Sequence, residues 1–180
     1  TGRAQAPEPP SALCREGQGV GCGCTASSDC GVGLSCLGSL CAPSCGESCP
    51  TGWSCIESLD ACLPPHAMLC APCSQDADCL SPGATCVSLG IGGSYCATSC
   101  EANEDCPEGF ACQASGTGAD AAQRCLPPGE ACACTGLASE LGAATSCFVE
   151  IEATLCAGTR ACGPEGLSAC LASGEEGGVC

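Results

Sequence analysis

The sequence predicts a small disulfide-rich fold: an elongated array of short β-hairpins and loops with little helix. Three observations predict it. Cysteine accounts for 26 of 180 residues, well above the roughly 8–10% that marks a disulfide scaffold. Leu, Ile, Val and Phe together number only 25, and the net charge is −16. A chain this poor in aliphatic residues and this charged stays disordered unless something other than an apolar core holds it. Finally, the cysteines recur at a regular spacing, the mark of a repeat architecture.

One four-cysteine unit occurs four times. The first is Cys24, Cys30, Cys36 and Cys41; the second is Cys45, Cys49, Cys55 and Cys62. The third is Cys73, Cys79, Cys86 and Cys96; the fourth is Cys100, Cys106, Cys112 and Cys125. The gaps are 5-5-4, 3-5-6, 5-6-9 and 5-5-12 residues. The first two gaps are nearly constant and the last stretches, as the tip of a hairpin would. Four cysteines allow three pairings; a crossed pairing, first to third and second to fourth, is the expectation.

Other residues keep register with the cysteines. CGVGLSC, CPTGWSC and CPEGFAC align, so that Gly33, Gly52 and Gly109 precede the large apolar residues Leu34, Trp53 and Phe110. Glycine there suits a tight turn with positive φ. The next side chain is expected to plug a core otherwise made of cystine. The third unit departs, with Ala84 after Gly83. Asp29, Asp78 and Asp105 each precede the second cysteine of a unit. They read as turn-forming side chains that accept from nearby backbone N–H groups.

The units fall into pairs. Three residues join the first to the second and the third to the fourth, and each pair closes on CLPP. The expected organisation is a Pro-rich arm over 1–21, a double unit over 22–65, a second over 66–128 and a different segment over 129–180. Pro64, Pro65, Pro127 and Pro128 read as stiff, extended spacers. In the last segment, 136–145 suits a short helix. The run 154–172 suits a β-hairpin turning at Gly163–Gly166.

Sixteen cysteines close the four units and ten remain. Cys14, Cys22, Cys70 and Cys132 are the candidates for stapling one segment to the next. Residues 129–180 hold seven cysteines, an odd number, so that segment is expected to bond outside itself.

Charge excludes several function classes. Twenty carboxylates face Arg3, Arg15, Arg124 and Arg160, with no lysine. Such a chain repels a phosphate backbone and an anionic membrane surface. No stretch approaches the roughly 18 apolar residues of a membrane span. No nucleic acid and no membrane insertion are expected; the repeat and the Pro-rich arm make other copies of the chain the expected partners. Dense cysteine pairing persists only in an oxidising compartment. The chain opens at Thr1 without an apolar leader, and we read it as a processed, secreted protein of the extracellular space or cell surface.

The run CAGTRACGPEGLSAC (156–170), following the cysteines at 132 and 134, resembles secreted cysteine-rich surface proteins of myxobacteria and related deltaproteobacteria. It carries the C-x-G-x-R-x-C-x3-G-x3-C pattern that precedes an acidic calcium-binding motif in MopE-like members. Here GEEGGVC (174–180) stands in place of that motif. The four-cysteine units also look like the short C-x5-C-x5-C repeats of those proteins and, more loosely, like EGF-like and EB-type modules. The resemblance implies a surface or extracellular protein without catalysis.

The chemistry-bearing residues were weighed against plainer readings. His66 is the one histidine and sits next to Pro65 on an expected spacer, and with no lysine and no second histidine a nucleophile–His site would have to be built around it alone. Cys22/Cys24, Cys70/Cys73 and Cys132/Cys134 have spacings that could suit zinc or a redox pair; structural cystine is the plainer reading. Glu150/Glu152, on one face if both lie in a strand, and Glu175/Glu176 are paired carboxylates. A solvated face is their plainer role and weak Ca2+ binding the alternative. No catalytic residue, cofactor or metal ligand is assigned.

Two functions fit. The first is a structural or adhesive surface protein, the subunit of a filament in which residues 1–13 of one copy dock onto the next. The second is a soluble ligand-binding or protease-inhibitor-like module presenting the loop 113–124 and Arg124.

Overall fold

A computed structural model describes residues 19–46, 48–116, 121–129 and 132–173. The chain divides into two compact units, Thr1–Pro64 and Pro65–Cys180. The architecture is the disulfide-rich hairpin array that the sequence predicts.

In the first compact unit, β1 (Leu34–Leu37) pairs with β2 (Leu40–Pro43), and β3 (Ser54–Ile56) with β4 (Ala61–Leu63). In the second, β5 (Thr85–Ser88) pairs with β6 (Ser94–Ala97), and β7 (Ala111–Ser115) with β8 (Ala122–Leu126). All four hairpins are antiparallel. A short helix α1 (Gly136–Glu140) follows, its first turn capped by Thr135, whose Oγ1 accepts from Ala138 N–H at 3.1 Å. Then come β9 (Ala144–Ile151), β10 (Thr154–Gly163), β11 (Gly166–Leu167) and β12 (Leu171–Ala172). These last four strands form one sheet, in which β10 pairs with each of the others.

Each unit of four cysteines is built the same way. The third and fourth cysteines lie opposite each other in the hairpin: Cys36 and Cys41, Cys55 and Cys62, Cys86 and Cys96, Cys112 and Cys125. Directly opposed residues of a ladder point to one face, so both sulfurs project to the side where the preceding loop lies. They do not bond to each other. The third cysteine bonds to the first, in 24–36, 45–55, 73–86 and 100–112. The fourth bonds to the second, in 30–41, 49–62, 79–96 and 106–125. The pairing is crossed in all four units.

The loop that carries the first two cysteines is shaped by two side chains. In units one, three and four it contains a single 3-10 turn: Ser27–Asp29, Asp76–Asp78 and Asn103–Asp105. The last residue of each turn accepts from the backbone behind it. Thr25 and Ala26 N–H donate to Asp29 at 2.8 and 3.0 Å, Ser74 and Gln75 to Asp78 at 2.8 and 3.1 Å, Glu101 and Ala102 to Asp105 at 2.7 and 3.0 Å. The first residue reaches forward and accepts from the N–H of the third cysteine: Ser27 from Cys36, Asp76 from Cys86, Asn103 from Cys112. That second role was not read from sequence, although a Ser, Asp or Asn stands two residues before each of the three aspartates. The three-residue gap between Cys45 and Cys49 leaves no room for such a turn in unit two. Gly33, Gly52 and Gly109 sit at φ of +81°, +83° and +88°, where a side chain would be strained.

The residues leading into units one, three and four each add an isolated bridge to the hairpin. Gly23 bridges Leu40, Pro72 bridges Tyr95, and Ser99 bridges Arg124.

One expectation needs correction. The segment after Pro65 is not an extended spacer. It is a run of turns, with His66 at φ +64° and Leu69 N–H bonded to the His66 carbonyl at 2.9 Å. It buries Met68 and Leu69, and Leu69 packs on Cys100 and Cys125 together with the half-buried Phe110. Prolines suggested a stiff connector, but the two large apolar side chains between them leave water most cheaply by folding back. Of the expected plugs Leu34, Trp53 and Phe110, all half-buried, Phe110 packs against the cystine cluster of Cys100 and Cys125. The deeply buried residues are mostly cystine, joined by Ile56, Leu63, Met68, Leu69, Tyr95 and Leu137.

Residues 66–128 and 129–180 share one compact unit. Cys70 bonds to Cys132 across 62 residues. Ser94 N–H donates to Thr145 Oγ1 at 2.9 Å, and Arg160 Nη1 to the Gly92 carbonyl at 3.4 Å. A Cβ at Gly93 would lie 2.5 Å from Thr145 Cγ2, so glycine lets β9 approach this closely.

These bonds set a pH dependence. Backbone donation from Thr25, Ser74 and Glu101, respectively, holds Asp29, Asp78 and Asp105 below the ordinary carboxylate value. Burial pushes His66 below the ordinary imidazole value, against the pull of Asp105. Lowered native values all act in one direction. The stability they confer is complete above the ordinary value and is lost as pH falls through the native one. The denaturant midpoint of the disulfide-intact protein is therefore expected to fall in two stages on acidification, His66 first and the aspartates later. His66→Asn, which tolerates the same positive φ, should abolish the first stage alone; a first stage that survives in this variant contradicts the assignment.

Candidate interaction surface

The two faces of the β9–β10–β12 sheet differ sharply. Residues opposite each other across the ladder share a face, and faces alternate along a strand. One face carries Thr145, Cys147 and Val149 opposite Arg160, Gly158 and Cys156. Thr145, Cys147 and Cys156 are almost fully buried. Two cystines lie behind this sheet, Cys147–Cys170 and Cys134–Cys162. The first passes over Gly158. A Cβ there would overlap the Leu171 carbonyl and lie 2.9 Å from Cys170 Sγ. Arg160 sits on this inner side and donates through Nε and Nη2 to the Ser168 carbonyl at 3.1 and 3.0 Å.

The opposite face is open. Phe148 lies across from Ala157, Leu155 from Glu150, and Leu171 from Thr159. Phe148, Leu155 and Leu171 are 46%, 57% and 68% exposed. Three large apolar side chains thus stand on one sheet face whose single charged residue is Glu150. The hairpin ends in Glu152 and Ala153, both at positive φ (+47° and +63°), the geometry of a tight two-residue turn. This corrects the reading of Glu150 and Glu152 as a pair on one strand face: β9 ends at Ile151 and Glu152 belongs to the turn.

The residues singled out by sequence have other settings. His66 Nδ1 lies 2.7 Å from Thr98 Oγ1 and ties the turn after Pro65 to the start of unit four. Arg124 donates through Nε to Thr85 Oγ1 at 3.0 Å and is half-buried in the second compact unit. That takes it away from the presented-loop role of an inhibitor. Of the staple candidates, Cys70 and Cys132 bond to each other and Cys22 is also disulfide-bonded. The close pairs Cys22/Cys24, Cys70/Cys73 and Cys132/Cys134, read as possible metal or redox pairs, are disulfide-bonded at all six positions. The sulfurs of Cys24, Cys30 and Cys41 lie within 4.8 Å of one another, as do those of 73, 79 and 96, and of 100, 106 and 125. All belong to crossed disulfides, which offer no thiolate to a metal. Among the described residues there is no free cysteine. Residues 1–13, Cys14, Glu175, Glu176 and the centre of the loop 113–124 lie outside the described residues.

No helix among the described residues is long and apolar enough to cross a membrane. The chain matches no known family model, no curated protein and no solved structure. Its disulfide density is that of a protein built for an oxidising, extracellular environment.

Proposed function

We propose that the chain is a secreted, non-catalytic structural or adhesive protein of a bacterial cell surface, and the subunit of an extracellular filament. In this reading residues 1–13 of one copy engage the next. A contact between two different patches does not close on itself and propagates into an open polymer. The observation that carries the reading is how the reactive side-chain types are used. Asp29, Asp78, Asp105, His66, Arg124 and Arg160 all hold backbone or neighbouring hydroxyl groups in place. Cystine closes every unit. Such a molecule is organised around persistence, and the resemblance to myxobacterial surface proteins supports the same reading.

Deleting residues 1–13 tests it. The truncated chain should keep its disulfides, stay in the supernatant on ultracentrifugation and show no filaments by electron microscopy, whereas the full chain sediments as polymer. Assemblies that form unchanged after the deletion would exclude a role for the arm.

A further inference from the structure

We propose that the Cys45–Cys55 cystine of unit two is a thiol-exchange site, which takes a small external thiol onto Cys55 as a mixed disulfide. The inference is independent of the filament reading.

Burial singles this bridge out. Cys55 is exposed and Cys45 is half-buried. Each of the other ten described bridges has at least one buried cysteine. At the equivalent bridges 24–36, 73–86 and 100–112 the first cysteine is only 8%, 0% and 9% exposed, and the third is half-buried.

The difference has local causes. Units one, three and four carry a 3-10 turn before the second cysteine and a lead-in residue bridged to the second strand of the hairpin. Unit two has too short a first gap for the turn, and among the described residues nothing bridges β4 in that way. The third cysteine also lacks its anchor. Ser27, Asp76 and Asn103 accept from the N–H of Cys36, Cys86 and Cys112. Among the described residues no side chain accepts from Cys55 N–H.

Exchange chemistry depends on both sulfurs. An external thiolate attacks one of them, a new S–S bond forms as the old one breaks, and the other sulfur leaves with the electron pair as a thiolate. A buried cysteine opposes the step in either role. It is out of reach as the target. As the leaving group it would place a thiolate in apolar surroundings, which raise its pKa and slow its departure. At 45–55 the incoming thiolate reaches Cys55, and Cys45 leaves where water can hydrate and protonate it. One disulfide and one thiol give one disulfide and one thiol, so no oxidant or reductant is consumed. The 49–62 bridge stays in place and keeps the hairpin closed.

The test exposes the full chain at mildly alkaline pH to cysteamine, whose positive charge suits a chain at −16. Samples are quenched at intervals with iodoacetamide and their disulfide-linked peptides mapped by mass spectrometry. Cysteamine on Cys55, with carbamidomethyl on Cys45, should accumulate at least roughly ten times faster than an adduct at any of the other ten bridges. A smaller ratio, or cysteamine found on Cys45 in place of Cys55, overturns the assignment. In Cys45→Ala with Cys55→Ala the fast adduct should disappear while the bridges of units three and four keep their rates. A fast adduct that persists in this variant would place the site elsewhere.

Discussion

Replacing Cys70 and Cys132 by alanine is expected to cost about 4 kcal/mol of stability, because the bridge closes a loop of 62 residues and loop-closure entropy grows with loop length. The matched control is Cys45→Ala with Cys55→Ala. That bridge spans 10 residues and its loss should cost about 3 kcal/mol on the same scale. The two variants should also differ in kind. Losing 45–55 loosens one hairpin. Losing 70–132 leaves residues 132–173 held to the rest of their compact unit by weaker ties, among them Ser94 to Thr145 and Arg160 to Gly92. Protease should then cut near residue 132 before the four-cysteine units open. Guanidinium midpoints and timed proteolysis read both effects. Equal midpoints and an unchanged first cleavage site would show that the long bridge adds nothing to the packing already there.

Gly158→Ala is expected to be at least as damaging, although it adds one methyl group. The methyl would overlap the Leu171 carbonyl, which is backbone and cannot swing aside, and would crowd Cys170 Sγ. The strand β12 must move away, taking with it the pairing of Gly158 with Ala172 and the Cys147–Cys170 bridge. Overpacking costs about 1–3 kcal/mol, and a bridge across 23 residues contributes about 3 kcal/mol more. The expected loss is about 4–6 kcal/mol, with less native Cys147–Cys170 peptide in a disulfide map. Gly163→Ala serves as the control. Its new Cβ would meet nothing closer than the Gly166 carbonyl at 4.0 Å, so its midpoint should shift little. If the two variants behave alike, the close approach over Gly158 plays no part.

Much of the fold is legible in the sequence because cystine geometry is local. Cysteine spacing marks out the hairpins, and the aspartates at 29, 78 and 105 declare their turns, since a short carboxylate beside free N–H groups has few other uses. The C-terminal hairpin follows from the glycines at 163 and 166. The C-x-G-x-R-x-C pattern over 156–162 has local causes too: Gly158 makes room for a bridge, and Arg160 holds the Ser168 carbonyl. Features that depend on tertiary contact were not legible. Met68 and Leu69 lie among prolines, and only the packing on Cys100 and Cys125 turns that segment into core. Gly93 looks like any loop glycine until β9 is laid against it. The open sheet face was hidden because alternation along a strand distinguishes two sides without saying which one stays bare.

The crossed bridges have a consequence for a chain under tension. Pulling force follows covalent bonds, and at each cystine it can bypass the residues in between. The bond between Cys70 and Cys132 takes load past the whole of units three and four, whose own four bridges already shorten the path between them. Within the four units, no bridge spans fewer than 10 residues or more than 19, so each hairpin yields only a short extension before its cystines become taut. A polypeptide stitched in this way answers stretching as a chain of stiff links with little slack, and only a reductant can release the hidden length.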